Sequence, residues 1–376
     1  MERFQRQIKL KELGPEGQHK LSAARVLVIG AGGLGCPVLL YLAAAGVGHI
    51  GVIDFDKVEL SNLHRQVLFS VSDAGALKAE RAAARINEMY PDVVCQPYPY
   101  ALTNQNALDL FVHYDLIVDG SDNFATRYLV NDACVLLGKP LVYGAVSRLE
   151  GQVAVFNLPT KNNTSPVNYR RLFPEPPRPG EVLNCEESGV LGVLPGIIGL
   201  MQANEAIKII AGIEPVLSDK LLNFNSKTNQ TYTIELSGLP DNTDQAPKDR
   251  RAYEKMDYDW FCGHNHDIPL VPVAQLSDWL SDAACLIVDV RQAYELPAIA
   301  GGENLVNIPL PDLPAHIGQF ARDQRILFVC QSGIRSARAV QILKESAPQL
   351  QSYSLEGGVE AWQQYNLALS KPTPNS

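Results

Sequence analysis

The sequence has little of several features that would place a protein outside the reducing interior of a cell. Its 376 residues include seven cysteines, an odd number scattered along the chain, and aromatic residues make up 7%. Such a set of thiols does not suit a disulfide framework and is typical of a reducing compartment. The first residues lack the apolar core of a signal peptide, and no uncharged apolar run reaches the roughly 18 residues that span a bilayer. We therefore expect a cytoplasmic protein with no membrane partner.

Positive charge is also scarce. The formal net charge is −9, and no basic run interleaved with aromatic residues occurs, so a nucleic-acid partner is not expected. Hydrophobic residues, by contrast, make up 46% of the chain, which is ample for packed cores. The length favours two domains, or three.

The most informative stretch runs from Arg25 to Arg65. Arg25–Ile29 is a short β-branched apolar run, which predicts a buried strand, and the glycine turn Gly30–Gly35 and an apolar helix follow it. A second predicted strand, Ile50–Ile53, ends on Asp54. Together these elements predict a Rossmann-like βαβ unit. In such a unit the glycines let the backbone approach a phosphate, the helix start offers unpaired N–H groups, and the acid bonds a ribose.

A cluster of polar residues begins at Asp54 and continues to Lys78. The charges in this cluster indicate which reaction of a bound nucleotide the unit could catalyse. Its members are Asp54, Asp56, Ser61, Asn62, Arg65, Gln66 and Lys78. A hydride-transfer enzyme needs few charges near the phosphates, whereas displacement of pyrophosphate from ATP needs cations on the phosphates and carboxylates for Mg²⁺. The cluster therefore favours ATP chemistry, with an NAD-dependent oxidoreductase as the alternative.

Three motifs carry a family resemblance. GAGGLG, DFDKVELSNLHRQ and the SDN at Ser121–Asn123 resemble the MoeB/ThiF-type adenylyltransferases, relatives of the ubiquitin-activating enzymes, over about residues 3–236. The resemblance implies ATP and Mg²⁺ as cofactors, with Arg65 and Lys78 on the phosphates and Asp122 on Mg²⁺. The implied ATP-site residues are Gly30, Gly32, Gly33, Gly35, Asp54, Asp56, Ser61, Asn62, Leu63, His64, Arg65, Gln66, Lys78, Asp122 and Asn123.

Three of the residues that the resemblance singles out also have simpler interpretations. The family's match to Arg6 reaches into the ATP site of a neighbouring subunit, which implies a homodimer, but an isolated arginine is usually a solvated surface residue. Asp122 could be the N-cap of the helix that follows it. Cys185 matches a crossover-loop cysteine that some family members use in sulfur transfer or thioester chemistry, but it could be a small buried thiol.

The resemblance breaks down at the family's zinc cysteines. A Cys-x-x-Cys pair is usual where this chain has Asn168-Tyr169-Arg170-Arg171, and of a second pair near Asp259–Cys262 only Cys262 remains. Four thiolates make a closed structural zinc site and one does not, so we predict that this chain has no structural zinc. Cys262, His264 and His266 leave a different metal site open as an alternative.

The chain changes character after residue 237. A polar stretch without apolar periodicity predicts a linker over 238–266. The predicted domains are therefore an adenylyltransferase domain over 1–237 and a second domain over 267–376.

The second domain is predicted to be a smaller α/β domain. Predicted strands over Leu286–Asp289 and Ile326–Val329 precede the segment Cys330-Gln331-Ser332-Gly333-Ile334-Arg335-Ser336. A cysteine between a strand end and a helix start, among loop N–H groups and beside Arg335, is expected to have a lowered pKa and to stabilise a persulfide. The segment resembles the rhodanese active loop, CxxGxRS, over about residues 267–370, whereas a Cys-x₅-Arg phosphatase loop is one residue longer. An inert rhodanese is the alternative.

The order of the two domains resembles that of fused enzymes which activate ubiquitin-like sulfur carriers. This implies as substrate the C-terminal Gly-Gly carboxylate of a carrier protein, and as sulfur donor a protein such as a cysteine desulfurase. ATP would convert the carboxylate to an acyl-adenylate, and persulfide sulfur carried by Cys330 would convert that to a thiocarboxylate, for molybdopterin, thiamine or tRNA thiolation. A non-catalytic scaffold that binds a ubiquitin-like protein is the alternative that the missing zinc cysteines suggest.

Overall fold

A computed structural model of the chain describes most of its residues. The described residues are 2–159, 166–177, 189–239, 246–262, 268–282, 284–293, 295, 304–321, 324–331 and 333–369. They form two compact units, Met1–Tyr258 and Asp259–Ser376, each of which is described by itself.

The first unit is built on one large mixed sheet. Its strands are β1 Arg25–Ile29, β2 His49–Ile53, β3 Val94–Tyr98, β4 Leu116–Asp119, β5 Leu141–Ser147, β6 Glu150–Phe156, β7 Lys220–Asn225 and β8 Gln230–Glu235. Among the described residues they pair in the order β3-β2-β1-β4-β5-β6-β7-β8. The first five in that order are parallel and the rest antiparallel. Apolar runs in the sequence predict strands over Arg25–Ile29, Ile50–Ile53, Leu116–Asp119, Leu141–Gly144 and Gln152–Phe156. All five are present, with bounds that differ by three residues at most.

Helices cover both faces of this sheet. The α-helices are α1 Gln5–Ile8, α2 Gly14–Ala23, α3 Gly35–Ala45, α4 Lys78–Met89, α5 Ala107–Phe111, α6 Phe124–Leu137, α7 Tyr169–Leu172, α8 Val193–Ala211, α9 Arg250–Lys255 and α10 Tyr258–Phe261, of which the last crosses the boundary between the units. Short 3₁₀ turns lie at Glu2–Phe4, Leu60–Asn62 and Val71–Asp73. The sequence over residues 74–89 predicts a helix, but α4 begins only at Lys78. Gly75 has a φ of +86°, which is incompatible with a helix of L-residues, so the prediction began four residues too early.

The sheet has a topological switch point between β1 and β4. β1 pairs with β2 on one side and with β4 on the other, and all three are parallel. Four of the five β1 residues are buried, as expected of a central strand covered on both faces. In such sheets ligands bind at the carboxyl ends of the strands beside the switch point. In this chain that position lies between Gly30, which follows β1, and Gly120, which follows β4.

Helix α8 is long and apolar enough to span a bilayer by length and composition, but it belongs to the core of this unit. It packs against α3 and β5, and Leu194, Ile198 and Ala206 on it are fully buried. Its Gln202 side chain donates to the Asp119 carbonyl oxygen at 2.6 Å, which ties the helix to the end of β4.

Part of the interval predicted as a linker is packed onto the first unit. Helix α9 lies within residues 238–266, and the side chain of its Tyr253 is fully buried. The Tyr253 hydroxyl donates to the Leu129 carbonyl oxygen at 3.2 Å, and the Asn104 amide donates to the Met256 carbonyl oxygen at 2.7 Å. The polar composition predicted a linker because the few aromatic residues that anchor the segment show no periodicity.

The segment over residues 159–182 is rich in Pro, Asn and Arg, which predicts a mobile crossover loop, but it also contains a helical turn. Among its described residues, α7 is capped by Asn168, whose side chain accepts from the Arg171 N–H at 3.1 Å. Tyr169 and Arg170 on this turn are buried. The remainder of the predicted loop includes residues outside the described ranges.

The second unit is a smaller parallel sheet with helices. Its described strands, β9 Leu270–Val271, β10 Cys285–Asp289, β11 Leu305–Asn307, β12 Arg325–Val329 and β13 Gln351–Leu355, pair in the order β11-β10-β12-β13-β9. The helices are α11 Leu276–Ser281, α12 Leu313–His316, α13 Ile334–Ser346 and α14 Gly358–Leu369, with 3₁₀ turns at Val273–Gln275 and Ile317–Gln319. Apolar residues of β10 and β12, among them Ile287, Val288 and Phe328, form its core.

Candidate active sites

A cleft opens at the switch point of the first unit. It is lined by Ile29, Gly30, Gly32, Gly33, Leu34, Ile53, Asp54, Phe55, Asp56, Arg65, Gln66, Lys78, Tyr100, Leu102, Gly120, Ser121, Asp122, Asn123, Thr126, Val146, Val190 and Pro195. The predicted residues Gly30, Gly32, Gly33, Asp54, Asp56, Arg65, Gln66, Lys78, Asp122 and Asn123 are all in this set. Motifs spread over some 90 residues of sequence thus meet in one place.

The glycine turn has the close approaches that its composition predicts. Gly30 has φ +86°, and a Cβ there would lie 3.1 Å from the Gly120 carbonyl oxygen. At Gly35, the first residue of α3, a Cβ would lie 1.9 Å from the Gly30 carbonyl oxygen. Glycine is therefore required at both positions, and the turn presents the N-terminal end of α3 to the cleft, where an anion is favoured.

The predicted ribose acid, Asp54, is held by backbone amides. Its Oδ2 accepts from the Ala31 N–H and its Oδ1 from the Asp56 N–H, both at 2.8 Å. Burial raises the pKa of the Asp54 carboxyl above its usual value, and these two hydrogen bonds offset only part of that rise. The carboxylate is thus fixed in orientation at the end of β2, where a ribose hydroxyl could donate to it.

Two cations lie on the wall of the cleft. Arg65 Nη2 donates to Asn62 Oδ1 at 2.6 Å, and Arg65 Nη1 lies 2.9 Å from His64 Nε2. Lys78 Nζ lies 3.0 Å from Asp56 Oδ2, and the lysine side chain is only 7% exposed. Both charges are held in position by neighbouring side chains, an arrangement that suits the stabilisation of charge developing on phosphates.

The acidic loop after β4 resolves one open alternative. Asn123, not Asp122, caps α6: its Oδ1 accepts from the Thr126 N–H at 2.9 Å. The prediction that Asp122 might be the cap is therefore wrong. Asp122 is exposed on the lip of the cleft, where its carboxylate could hold Mg²⁺, an ion that typically takes one or two protein carboxylates and completes its shell with phosphates and water.

Other predicted ATP-site residues lie beside the cleft and support it. Asn62 and His64 contact Arg65, as described above, and Leu63 packs against the core. The Ser61 hydroxyl donates to Glu59 Oε2 at 3.2 Å, away from the cleft lining. The structure places these residues as neighbours of the lining and does not place them in it.

Two predicted catalytic residues lie elsewhere. Arg6 is exposed on α1 and is not among the lining residues, so it does not complete the cleft of its own chain. Cys185 lies outside the described residues.

Several lining residues were not predicted from the sequence. Tyr100 and Leu102 follow β3, whose carboxyl end meets the same sheet edge, so the rule for parallel sheets could have found them. Pro195 comes from α8, and a Cβ on Gly33 would lie 2.9 Å from its ring. No local signal in the sequence places Pro195 beside the glycine turn.

The second unit holds the predicted cysteine loop between β12 and α13. The Cys330 side chain is fully buried, and its Sγ accepts from the Gly333 N–H at 3.2 Å and lies 3.4 Å from Ser336 Oγ. Gly333, with φ +97°, turns the loop around the sulfur. The loop therefore offers at least one amide and one hydroxyl to a sulfur atom carried on Cys330.

Arg335, the second predicted catalytic residue of this loop, is held by Glu295. Arg335 Nη1 and Nη2 donate to Glu295 Oε1 and Oε2 at 2.6 and 2.7 Å, a two-point ion pair of the stronger kind. Burial alone would raise the pKa of Glu295, but the hydrogen bonds from Arg335 and from the Gln292 N–H lower it below its usual value. The pair therefore stays charged down to acidic pH.

A second, more buried ion pair contacts the cysteine loop through Gln331. The Arg291 guanidinium donates to both carboxylate oxygens of Asp289, with Nη2 to Oδ2 at 2.7 Å, and its Nη1 donates to Gln331 Oε1 at 3.1 Å. Gln331 follows Cys330 directly. Sequence analysis missed the roles of Glu295, which lies outside the recognised loop, and of Gln331, which fills a variable position of the loop pattern.

In the part of the chain that the structure describes, no group of three or more His, Cys, Asp or Glu side chains could hold a metal ion. Cys262 is half-buried, and His264 and His266 fall outside the described residues.

Comparison with known protein families identifies both units. The model of the ThiF family matches residues 4–245, and the model of the rhodanese-like domain matches residues 272–365. The first match covers more than half of the chain.

Relatives match the chain over most of its length or over 70% of it. A protein of Mycobacterium tuberculosis named probable adenylyltransferase/sulfurtransferase MoeZ is 41% identical, covering 96% of this chain and 92% of the relative. A Thermus thermophilus protein named sulfur carrier protein adenylyltransferase is 49% identical over 70% of this chain and 97% of the relative. Adenylyltransferase and sulfurtransferase MOCS3 of Culex quinquefasciatus is 39% identical, covering 96% of this chain and 86% of the relative.

Solved structures agree on the fold of the larger unit. Escherichia coli MccB has a TM-score of 0.54 at 22% identity, covering 62% of this chain and 69% of that one. PaaA has a TM-score of 0.52 at 20% identity, covering 62% of this chain and 73% of that one. The chain therefore belongs to the ThiF family, and it is an adenylyltransferase-type enzyme that carries a C-terminal rhodanese-like sulfurtransferase domain.

Proposed function

We propose that this enzyme adenylates the C-terminal Gly-Gly carboxylate of a ubiquitin-like sulfur-carrier protein and that its rhodanese domain converts the product to a thiocarboxylate. The observation that carries the proposal is the cleft, which brings Arg65, Lys78 and Asp122 to the phosphate-binding glycine turn. The relative named sulfur carrier protein adenylyltransferase supports the choice of substrate.

The proposed first step makes a good leaving group. A carboxylate is a poor acyl electrophile, so one of its oxygens attacks the α-phosphorus of ATP, the bond to the β-phosphate oxygen breaks, and pyrophosphate leaves. The Arg65 and Lys78 side chains offset the charge that develops on the phosphates. Mg²⁺ held by Asp122 would supply further charge neutralisation there. Asp54 accepts a hydrogen bond from the ribose and fixes the nucleotide.

The proposed second step moves sulfur. A donor such as a cysteine desulfurase leaves a persulfide on Cys330, stabilised by the Gly333 N–H. The terminal sulfur attacks the acyl carbon of the adenylate and AMP leaves, which gives an acyl disulfide. A second thiolate then attacks the Cys330 sulfur, the S–S bond breaks, and the carrier leaves as a thiocarboxylate. Cys185 is the candidate for that thiolate, and a cellular dithiol would then reduce the resulting disulfide.

Pyrophosphate exchange tests the first step. We expect labelled pyrophosphate to enter ATP when the chain is mixed with a Gly-Gly-ending carrier protein, and not when the carrier has one extra C-terminal residue. Exchange that is equal with both carriers would contradict the proposed substrate. No exchange with any carrier, together with quenching of chain fluorescence by NADH, would favour the oxidoreductase alternative.

Arg6 provides a test of assembly. Because it does not line the cleft of its own chain, we propose that it completes the cleft of a partner in a homodimer. Mixing an Arg6→Ala chain with an Asp122→Ala chain should then restore up to about one quarter of the wild-type exchange rate, since half of randomly mixed dimers hold one intact site. Each variant alone is the control. Subunit exchange without recovery of activity would show that Arg6 does not act across subunits.

Glu295 provides a test of the sulfurtransferase loop. Replacing it with alanine removes this ion pair from Arg335, and we expect kcat/KM for thiosulfate to fall on the order of tenfold because orientation is lost. Glu295→Gln, which keeps one acceptor, should lose less. The effect should be the same from pH 6 to 9, because the lowered pKa of Glu295 keeps the wild-type pair charged across this range. Wild-type kinetics in Glu295→Ala would mean that other contacts orient Arg335.

A further inference from the structure

A buried hydroxyl from outside the recognised loop lies behind the cysteine of the second unit. Ser354 is on β13, beside Phe328 of β12, and its side chain is fully buried. Its Oγ lies 2.8 Å from Ser336 Oγ, and Ser336 Oγ lies 3.4 Å from Cys330 Sγ. Two serine hydroxyls from different elements thus form a line of contacts that ends on the sulfur.

A nearby serine shows that burial on this strand does not by itself require such a contact. Ser352 lies two residues before Ser354, so both side chains are on the same face of β13. Ser352 is 5% exposed, and among the described residues its Oγ has no hydrogen-bond partner. The contact between Ser354 and Ser336 is therefore specific to the position behind the cysteine loop.

Backbone contacts fix the position of Ser354 relative to the loop. Shortly after Ser354 the chain turns into α14, and the Val359 N–H donates to the Cys330 carbonyl oxygen at 2.9 Å. A Cβ on Gly358 would collide with that same carbonyl oxygen, so only glycine allows this close approach. The strand end that carries Ser354 is thus attached to the loop by the backbone, independently of the two hydroxyls.

The single hydrogen of the Ser336 hydroxyl determines the direction of each contact. A serine hydroxyl has one hydrogen to donate and two lone pairs that accept. The Ser336 hydroxyl donates to the Gly333 carbonyl oxygen at 3.0 Å, so it accepts in its other two contacts, from the Ser354 hydroxyl and from the Cys330 thiol. Cys330 Sγ in turn accepts from the Gly333 N–H at 3.2 Å. This arrangement suits a protonated Cys330.

A thiolate or a persulfide on Cys330 leaves Sγ without a hydrogen to donate. Lone pairs of Sγ and of Ser336 Oγ would then face each other, unless the Ser336 hydroxyl turned toward the sulfur. The turn costs little, because the Gly333 carbonyl oxygen keeps a hydrogen bond from the Ala337 N–H at 3.1 Å. Ser354 continues to donate to Ser336 after the turn, which keeps the Ser336 oxygen paired and strengthens its own donation to sulfur.

We propose that Ser354 is a positioning residue of sulfur transfer: it holds the Ser336 hydroxyl so that this group accepts from the Cys330 thiol and donates to the Cys330 sulfur once the proton has left. The inference rests on the sulfur-transfer role proposed for Cys330. With thiosulfate, the thiol gives its proton to a solvent base, and the thiolate attacks the outer sulfur of thiosulfate. The S–S bond of thiosulfate breaks, and sulfite leaves with the electron pair of that bond. Neither serine takes a proton in these steps.

The first experiment measures sulfur loading in the full-length chain. Ser354→Ala should lower the single-turnover rate of sulfite release from thiosulfate about five- to tenfold, the loss expected for one hydrogen bond. The matched control is Ser352→Ala, which removes a buried hydroxyl from the same face of the same strand without breaking a hydrogen bond. It should load sulfur at the wild-type rate. Equal rates in Ser354→Ala and wild type would overturn the proposal.

The pH dependence of loading separates positioning from a general loss of structure. Because the hydroxyl donates only to the unprotonated sulfur, the pH of half-maximal loading should rise in Ser354→Ala and in Ser336→Ala. It should stay unchanged in Ser352→Ala. None of these variants alters the charged side chains around the loop, which are Asp289, Arg291, Glu295, Arg335 and Glu360. A rate that falls by the same factor at every pH would overturn the positioning role.

A double-substitution cycle tests whether Ser354 acts through Ser336. Ser336→Ala should lower the loading rate at least as much as Ser354→Ala does. Adding Ser354→Ala to Ser336→Ala should then cause no further loss, because the group that Ser354 positions is already gone. Losses that multiply in the double variant would show that Ser354 acts independently of Ser336, and would overturn the proposal.

Infrared spectroscopy tests the hydrogen bond from Cys330 without any sulfur transfer. At mildly acidic pH, subtracting the spectrum of Cys330→Ala isolates the S–H stretching band of Cys330. Donation of a hydrogen bond weakens the S–H bond and lowers its frequency, so the band should move to higher frequency in Ser336→Ala and stay in place in Ser352→Ala. A band that does not move in Ser336→Ala would overturn the proposal.

The combined results distinguish this inference from the proposed function on which it rests. Sulfite release by the wild type, with an unmoved infrared band or an unaffected Ser354→Ala variant, would overturn the positioning role alone. A band that moves as expected in a wild-type chain that releases no sulfite would overturn the sulfur-transfer function, and the positioning role would fail with it.

Discussion

Asp122→Asn is expected to lower carrier-dependent ATP–pyrophosphate exchange about 10²–10³-fold, which is the usual cost of removing one preorganised charge partner from such a site. The side chain lies on the lip of the cleft, and Asn123 rather than Asp122 caps α6. The substitution therefore removes a charge from the cleft without removing a helix cap. An unchanged unfolding midpoint would confirm that the variant loses catalytic activity and not stability.

The matched control for this variant is Asp92→Asn. Asp92 is 77% exposed and pairs weakly with Arg3, at 3.9 Å, away from the residues that line the cleft. It should exchange pyrophosphate at the wild-type rate. Excess Mg²⁺ should recover part of the activity of Asp122→Asn if the carboxylate acts through the metal. Exchange at the wild-type rate in Asp122→Asn would refute its assignment.

Cys330→Ala is expected to abolish sulfur transfer from thiosulfate and the formation of carrier thiocarboxylate, because the sulfur that carries the persulfide is gone. Pyrophosphate exchange should continue at the wild-type rate, since every residue that lines the cleft lies in the first unit. The two assays, run on one preparation, therefore separate the two proposed half-reactions.

Cys285→Ala is the matched control, because it removes another fully buried thiol from the same unit. Cys285 Sγ accepts from Arg325 at 3.1 Å and lies far from the loop in sequence, so sulfur transfer should persist. A normal rate of thiocarboxylate formation in Cys330→Ala, with a physiological donor, would show that the rhodanese domain is not the source of the sulfur.

Cys185→Ala adds a further arm to this experiment. If Cys185 supplies the second thiolate, the variant should adenylate the carrier normally and accumulate the acyl disulfide with Cys330, which a mass spectrum of the unreduced protein would detect. Thiocarboxylate made at the wild-type rate would instead support the interpretation of Cys185 as a structural thiol.

The sequence by itself determined the features whose physical cause is local. An apolar β-branched run predicted β1 with its observed bounds, and the glycines after it marked a turn because no other residue tolerates the approaches at Gly30 and Gly35. The loop from Cys330 to Ser336 was likewise identified from one short pattern, and the structure shows the sulfur with a loop amide and a hydroxyl. Apart from the approach of Gly30 to Gly120, each of these features depends on residues that lie close together in the chain.

The tertiary structure alone decided which distant side chains meet. Pro195 reaches the glycine turn from α8, and Glu295 lies 40 residues before the arginine that it holds. Arg170 is paired with an aspartate 38 residues earlier in the chain, where the sequence predicted a loop and showed only that cysteines were missing. An ion pair leaves no periodic pattern in a sequence, because its partners are chosen by the packing of whole elements and not by their spacing along the chain. For the same reason, the sequence predicted that cysteine ligands for zinc are missing but did not predict the buried ion pair between Arg170 and Asp132.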